Sequence, residues 1–197
     1  MKTPTVIGED FAGVLASAQR GDEGAFARLW RDANPSLRRY LSVVSSGDHD
    51  DVAAETWASV ARGLTRFRGD EEHWRAWLFA TARRRSVDDG RRRARSRDLA
   101  VGSGADLDEL CGDAWPARPS GDPADVVLAH QAVEEALSAI RALPPLQAEV
   151  LMLRLVAGLS SDVVAELVDS TPGAVRVAAH RGLKRLSQQL DRTGVTR

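Results

Sequence analysis

The chain has 197 residues, which is enough for one domain with a substantial core or for two small domains. Hydrophobic residues make up 43% and charged residues 28%, an ordinary balance for a soluble globular protein. No apolar run approaches the ~20 residues of a membrane span, and the opening MKTPTVIGED lacks the basic start and apolar stretch of a secretory signal. A single cysteine, Cys111, excludes an internal disulfide framework. We therefore expect a cytoplasmic protein without membrane insertion.

The net charge of -1 hides a strong segregation of charge along the chain. Between residues 83 and 97, eight arginines stand against two aspartates, a local sum of +6. Residues 98–127 hold seven acidic side chains and one arginine, a sum of -6, and residues 171–192 hold five bases and one aspartate, a sum of +4. Because such blocks report on partners rather than on fold, the order basic, acidic, basic indicates that different segments face different surfaces.

The N-terminal part of the sequence has the periodicity of packed helices, and nothing in the chain alternates convincingly as a strand would. Apolar residues over 11–18 predict a short helix that stops at Gly21. The stripe over 26–44 predicts a longer helix that bends at Pro35. We assign residues 1–20 to an N-terminal extension that contains the short helix.

Two more predicted helices complete the first block. An apolar stripe over 53–67 predicts one of them, and the other starts near Trp74 and continues into the arginine run. Residues 21–97 are therefore predicted to form one helical bundle. From 98 to 123 the pattern dissolves into a segment rich in Gly, Pro, Ser and Asp, which predicts an irregular acidic linker.

A second small domain is predicted over residues 124–192, followed by a tail at 193–197. Its first helical stripe ends at the pair Pro144-Pro145, and the short helix after that pair ends at Gly158, a favourable C-terminal cap. The predicted fold is all-α, with two small helical domains joined by the irregular acidic linker.

A helix, a short turn and a second helix follow within residues 160–192, the pattern of a DNA-binding helix-turn-helix. Suitable cap and turn residues stand at each boundary: Ser160 or Ser161 before the first helix, Asp169 and Ser170 in the turn, and Thr171 before Pro172. The expected core residues are Val164, Leu167, Val175, Ala179, Leu183 and Leu186. An ordinary pair of packed helices would need that core as well. DNA binding is favoured by the outer face of the second helix, whose side chains can reach phosphates or base edges: Arg176, His180, Arg181 and Lys184.

On charge alone, the arginine run would be a solvated tail. The run continues the helix that carries Trp74 and Trp77, however. Basic side chains beside aromatic rings are what single-stranded or melted DNA needs, because phosphates are neutralised and unstacked bases find flat surfaces. Either tryptophan can instead serve the core, and the spacing favours that role for Trp77.

An acidic cluster opens the helix predicted over 53–67, and it consists of Asp48, Asp50, Asp51 and Glu55. Negative charge at a helix N-terminus is favourable in itself and explains such a cluster without any partner. Alternatively, the cluster is a docking face for a basic partner, since Asp51 and Glu55 lie one helical turn apart.

Nothing in the sequence predicts catalysis. The four histidines are scattered, and no spacing of His, Cys and Asp resembles a metal site. The chain has neither a phosphate-binding glycine loop nor a nucleophile signature with a base. We expect no catalytic residue, no metal and no cofactor.

Taken together, the segments between Gly21 and Leu190 resemble the extracytoplasmic-function (ECF) family of bacterial RNA polymerase sigma factors, part of the sigma-70 superfamily. The motif GDEGAFARLW is similar to the first conserved helix, and DHDDVAAETWASVARGLTRFRG to the segment that docks on the clamp helices of the polymerase's largest subunit. The motif WRAWLFATARRRSVDDGRRR is similar to the promoter-melting and minus-ten helix, and LPPLQAEVLMLRLVAGLSSDVVAELVDSTPGAVRVAAHRGLKRL to the minus-thirty-five domain. The four motifs stand in the family's order, with the linker between the third motif and the fourth.

The resemblance implies a sigma factor that binds core RNA polymerase at its clamp helices and flap region, recognises promoter DNA and helps to melt it. Polymerase docking would fall to Asp51, Glu55, Arg62 and Arg66. Minus-ten recognition and melting would fall to Phe67, Arg68, Gly69, Asp70, His73, Trp74, Trp77, Arg83, Arg84, Arg91 and Arg92. In the family, the loop corresponding to residues 67–73 captures a base flipped out of the DNA.

Minus-thirty-five recognition would fall to Thr171, Gly173, Arg176, Val177, His180, Arg181 and Lys184. The acidic linker would thread the basic active-site and RNA-exit path of the polymerase, where its negative charge mimics a nucleic acid. Many family members are held inactive by an anti-sigma protein, which makes such a protein a further candidate partner.

Three positions depart from the family's pattern. Arg84 stands where asparagine is usual, which favours a phosphate contact over base reading. Asp169 replaces the turn glycine, in a left-handed conformation that aspartate tolerates less readily than glycine. Ala178 replaces a basic residue late in the recognition helix, and exposed Val177 and Ala178 would favour apolar contacts, such as contacts with thymine methyl groups.

Two other classes of protein stay open from the residues alone. A stand-alone helix-turn-helix regulator would use the N-terminal bundle as a sensor or dimerisation domain and would bind a palindromic site as a dimer. An interaction protein would bind polymerase or an inhibitor without reading DNA. Its binding would survive replacement of Arg176, Arg181 and Lys184 by alanine.

Overall fold

A computed structural model describes the backbone of residues 10–99 and 123–193, and the side chains of residues 10–96 and 131–189. Within these ranges every regular element is helical, which confirms the predicted all-α fold: α1 (Phe11–Gln19), α2 (Glu23–Val44), α3 (His49–Gly63) with a 3-10 turn (Leu64–Arg66), α4 (Glu71–Leu99), α5 (Pro123–Arg141), α6 (Pro145–Leu151) with a π-helical continuation (Met152–Val156), α7 (Ser161–Leu167) and α8 (Pro172–Thr193). None of these helices combines the length and apolarity needed to cross a membrane. Residues 100–122, which include Cys111 and most of the predicted linker, lie outside the described residues.

Aspartate caps begin the two helices at the centre of the N-terminal domain. Asp22 Oδ1 accepts a hydrogen bond from the Ala25 amide at 3.1 Å, and Asp48 Oδ1 accepts one from the Asp50 amide at 2.8 Å. These bonds satisfy amides that have no partner inside the helix. The longer helix, α2, continues through Pro35, as the sequence predicts.

The second long helix of this domain ends earlier than predicted. α3 stops at Gly63, the 3-10 turn follows, and Phe67 is extended at φ -64° and ψ 138°. Gln19 Nε2 donates to the carbonyl oxygens of Leu64 and Phe67 at 2.9 and 2.8 Å. A side chain from α1 therefore supplies partners for carbonyl groups at the point where the helix ends.

The capping signals of the C-terminal domain are local, and the structure confirms them. Ser160 Oγ accepts a hydrogen bond from the amide three residues later at 3.3 Å, and Thr171 Oγ1 does the same at 3.2 Å. Gly158 at φ 72° follows the π-helical segment, and Asp169 at φ 52° forms the turn between α7 and α8. Asp169 therefore adopts the left-handed conformation predicted for it.

The buried face of α8 differs from the predicted one. Val175 is 1% exposed and Ala178 8%, whereas Leu183 is 47% exposed. A Cβ atom at Gly182 would lie 2.8 Å from Leu151 Cδ1, so α8 packs tightly on α6 at a residue without a side chain. This approach turns the stripe of positions 175, 178 and 182 inward. The expectations of an exposed Ala178 and of Leu183 in the core were therefore wrong.

The two domains pack against each other through α2, which contacts α5, α6 and the π-helical segment. Tyr40 and Leu41 of α2 are fully buried, as is Met152 of the π-helical segment. Their side chains belong to one continuous hydrophobic cluster that runs from one domain into the other.

Candidate nucleic-acid interface

An aromatic cluster fixes the start of α4. Trp74 is fully buried, and its ring centroid lies 6.5 Å from Phe11, 6.5 Å from Trp57 and 5.7 Å from Trp77. Trp77 is only partly buried and stacks on Phe67 at 5.2 Å with an angle of 20° between the rings. The spacing favoured Trp77 as the core residue, but positions 74, 78 and 82 form the inward stripe, so Trp74 has that role. The tryptophans anchor the helix that carries the arginines.

The loop between the 3-10 turn and α4 is shaped by glycine and by a capping pair. Gly69 has φ 152°, and a Cβ there would lie 2.7 Å from His73 Cβ. Asp70 Oδ1 accepts hydrogen bonds from the His73 amide at 3.0 Å and from His73 Nδ1 at 2.6 Å. The hydrogen bond from the His73 backbone amide, followed by the one from the His73 side chain, holds the pKa of Asp70 below its ordinary value. The hydrogen bond to the Asp70 side chain raises the pKa of His73. Both side chains remain largely exposed.

Exposed arginines continue along α4 beyond the aromatic cluster. Arg84 and Arg91 are exposed, with their charge available at the surface. Arg92 and Arg93 share the carboxylate of Asp89 at 3.1 and 2.9 Å, and Asp89 is 6% exposed. The arginine helix therefore carries an internal counter-charge that orients two of its guanidinium groups.

Arg83, also predicted to hold DNA, has a different environment. Its Nε donates to Glu149 Oε1 of α6 at 2.8 Å, across the boundary between the two domains. The Tyr40 hydroxyl donates to the same oxygen at 3.1 Å. Of the arginines predicted to contact phosphates, this one is held by an acidic side chain of the other domain.

The predicted polymerase-docking residues lie together at the surface. Asp51, Glu55 and Arg62 are exposed along α3, and Arg66 is exposed on the turn that follows. Glu55 Oε1 lies 3.4 Å from Arg92 Nη2, so this docking face borders the arginine helix directly.

The outer face of α8 collects all the residues predicted for minus-thirty-five recognition. Each of them is exposed: Thr171, Gly173, Arg176, Val177, His180, Arg181 and Lys184. Among the side chains of α8 that the structure describes, up to residue 189, none is acidic. Among these seven predicted residues Val177 is the one with a large apolar side chain, and it is 49% exposed.

Sequence reasoning missed the polar contacts between distant elements. Arg38 pairs with Asp50 at 2.8 Å, which occupies one carboxylate of the predicted acidic cluster. Glu149 contacts Arg83 and Tyr40 although its neighbours in sequence look like those of any amphipathic helix. No local pattern could have identified either contact, since both depend on how helices pack.

Comparison with known protein families finds a match in each of the two domains. Residues 29–97 match the family model described as Sigma-70 region 2, and residues 134–186 match Sigma-70, region 4. The two matches contain the arginine helix and the helix-turn-helix, respectively. They define the class of the protein as a sigma-70-type factor with a region 2 followed by a region 4.

Individual relatives narrow the class. The ECF RNA polymerase sigma factor SigD of Mycobacterium tuberculosis H37Rv is 33% identical over 196 residues, covering 96% of this chain and 88% of SigD. The ECF sigma factor ShbA of Streptomyces griseus is 30% identical over 191 residues, covering 92% of this chain and 94% of ShbA. The chain belongs to the ECF family of RNA polymerase sigma factors, which act in transcription initiation.

Two solved structures share the fold. CnrH in complex with the cytosolic domain of CnrY has a TM-score of 0.58 and 20% identity, covering 93% of this chain and 98% of CnrH. The sigma factor RpoE of Bartonella quintana, in complex with the anti-sigma factor NepR, has a TM-score of 0.59 and 20% identity, covering 84% of this chain and 96% of RpoE.

Proposed function

We propose that this sigma factor binds core RNA polymerase, directs it to a small set of promoters and helps to open the DNA at the start region. One observation carries the proposal: every residue predicted for minus-thirty-five recognition is exposed on one side of α8, while Val175 and Ala178 hold the opposite side against the domain. The protein acts in the cytoplasm and supplies recognition only. The chemistry of transcription belongs to the polymerase.

In this proposal each of the two domains has its own role. Residues 21–97 dock on the polymerase and open the minus-ten element, and residues 124–192 recognise the minus-thirty-five element. The acidic linker of residues 98–123 passes between these two DNA-facing parts along the basic path of the polymerase.

For the minus-thirty-five element, α8 would lie in the major groove, which is wide enough to admit a helix. Arg176, Arg181 and Lys184 would fix the register on phosphates or read guanine edges. Val177 would contact a thymine methyl group, since it is the exposed apolar side chain on this face. Ala178 is buried and takes no part, so of the two positions considered from the sequence only Val177 would make the apolar contact.

For the minus-ten element, α4 and the loop before it would act together. Arg84 and Arg91 would neutralise the phosphates of the opening duplex. The loop over 67–73 would hold a flipped base, with the Phe67 ring backed by its stacking on Trp77. Trp74 would act only as an anchor, because it has no exposed surface to offer a base.

Protein partners would use the remaining faces. Asp51, Glu55, Arg62 and Arg66 would bind the clamp helices of the polymerase, and the C-terminal domain would bind its flap region. CnrH was solved in complex with the cytosolic domain of CnrY, and RpoE in complex with the anti-sigma factor NepR. We propose an anti-sigma protein as a partner of this chain as well.

Run-off transcription with purified core polymerase and a library of promoter fragments tests the proposal. Transcription from a discrete subset is expected only when this protein is present. Replacing Arg176, Arg181 and Lys184 together by alanine should lower transcription from that subset roughly hundredfold or more, because each direct contact is worth about 1–3 kcal/mol. The matched control removes the same charge from the exposed arginines of the N-terminal domain, Arg20, Arg28 and Arg31. Absence of both core binding and transcription would reject the function. An equal loss of transcription in the control would show that α8 contributes only non-specific positive charge.

A further inference from the structure

One carboxylate makes polar bonds across the contact between the two domains. Glu149 Oε1 accepts hydrogen bonds from the Tyr40 hydroxyl at 3.1 Å and from Arg83 Nε at 2.8 Å. A few residues away, Arg141 Nε donates to the Ser42 carbonyl oxygen at 2.8 Å. The Glu149 side chain is 17% exposed, so its charge is largely removed from water and depends on these partners.

Apolar packing around this carboxylate is incomplete. A cleft of about 290 Å³ lies between the domains, and its apolar walls include Val43, Val44 and Val87 from the first domain and Leu143 and Ala148 from the second. The interior of a single domain contains few voids larger than a water molecule. The contact therefore combines a shared hydrophobic cluster with an open cleft at its edge, and the polar bonds of Glu149 join the two domains beside that cleft.

The closed arrangement conflicts with the proposed function. The two promoter elements are centred about 25 base pairs apart, which is roughly 85 Å along B-form DNA. A compact protein of this length has a radius of gyration of roughly 16 Å. With α2 packed on α5 and α6, the outer face of α8 and the arginine helix cannot reach both elements together. The domains must separate before both elements are bound.

We propose that Glu149 is the latch of an autoinhibited state of this sigma factor. Its carboxylate binds Arg83, a residue of the DNA-melting helix, in the place where a phosphate oxygen would bind, and the same bond holds the two domains together. When DNA or polymerase separates the domains, Arg83 becomes free to bind a phosphate. In the closed chain Arg83 stays bound to Glu149. The inhibitory element is part of the chain itself, independent of any partner protein. The inference rests on the proposed function through the DNA role of Arg83.

The distance between the domains tests the latch without polymerase or DNA. Cys111→Ser removes the native thiol, and fluorescent dyes on Ala58→Cys and Ser187→Cys, both at exposed positions on different domains, report the distance by energy transfer. Glu149→Gln keeps the shape but removes the charge, and it should increase the ratio of open to closed molecules roughly tenfold. The control is Glu135→Gln, which removes the same charge from an exposed site on α5.

A charge exchange gives an independent check. Glu149→Arg alone should open the chain, and Glu149→Arg combined with Arg83→Glu should close it again, since the ion pair is restored with reversed polarity. Circular dichroism confirms that each variant is folded. Unchanged energy transfer in folded Glu149→Gln, or failure of the double exchange to close the chain, would overturn the latch.

The two proposals fail separately. Opening of Glu149→Gln together with no transcription from any promoter would leave the latch standing and reject the sigma function assigned to α8 and α4. Promoter-specific transcription together with unchanged energy transfer would uphold that function and reject the latch. If both hold, Glu149→Gln should bind a labelled promoter fragment roughly tenfold more tightly than Glu135→Gln does.

Discussion

Gly63 and Trp77 approach each other so closely that a Cβ atom at position 63 would lie 2.8 Å from Trp77 Cζ2. The glycine is the last residue of α3, and the tryptophan lies on α4 with its ring stacked against Phe67. The absence of one side chain thus allows α3 and α4 to share a single aromatic cluster.

Gly63→Ala should destabilise the N-terminal domain by about 1–3 kcal/mol, because the rigid indole ring must move to admit the methyl group. Urea unfolding of the purified chain measures the effect. Gly173→Ala is the matched control, since the nearest atom to its new methyl group would be 4.0 Å away and alanine favours the helix. Equal stability of the two variants would show that the contact with Trp77 yields freely.

Trp74→Ala should cost about 3–5 kcal/mol, since it empties the centre of the aromatic cluster. Trp74→Phe should cost clearly less, because Trp74 Nε1 is buried without a hydrogen-bond partner and its removal leaves no acceptor unsatisfied. Comparing the two variants by denaturant unfolding separates ring volume from the indole N–H. A larger loss for phenylalanine than for alanine would contradict this account.

Asp70→Asn should lower the pKa of His73 towards 6.5, because the bond to the Asp70 side chain is the main reason that this pKa is raised. Asparagine still caps α4, so the helix start is retained. Glu72→Gln removes a lesser contributor and should lower the pKa less. NMR titration of the histidine ring protons measures both shifts, and an equal shift in the two variants would argue against the hydrogen bond as the cause.

The Asp70–His73 pair also makes the free energy of unfolding depend on pH within a defined range. The folded chain binds the His73 proton more tightly than the unfolded chain, so this contribution is complete below pH 6.5 and is lost as the pH rises through the raised pKa. The pKa of Asp70 is lowered, so its contribution is present above pH 3.8 and is lost as the pH falls. Between these limits, the stability difference between wild type and Asp70→Asn should be largest.

Asp169→Gly should stabilise the C-terminal domain by up to about 1 kcal/mol, because residue 169 has φ 52° and glycine adopts that conformation without strain. Ser170→Gly provides the comparison in the same turn and should destabilise, since it adds freedom to the unfolded chain without relieving a positive φ. Thermal unfolding of both variants gives the sign. Destabilisation by Asp169→Gly would mean that the aspartate side chain contributes more than its backbone strain costs.

The order and chemistry of the helices could be predicted from sequence because the signals are local. Thr171 caps the amide three residues later, Gly158 and Asp169 turn the chain within one residue, and the basic face of α8 follows from spacings of one helical turn. Each of these depends on groups within about four residues, a distance over which the sequence itself fixes the geometry.

Tertiary structure decided which of several plausible faces is buried and what each charged group contacts. Trp74 rather than Trp77 enters the core, Ala178 rather than Leu183 faces α6, and Arg83 meets Glu149 from the other domain. Because the apolar stripe of a helix is about 100° wide, the helix can bury either of two neighbouring sets of positions. The packing of the neighbouring helices determines which set is buried. The sequence alone determined that this chain is an all-α protein with two basic helices. Packing determined that one of those helices is held by a carboxylate from the other domain, because a contact between distant residues has no local signature.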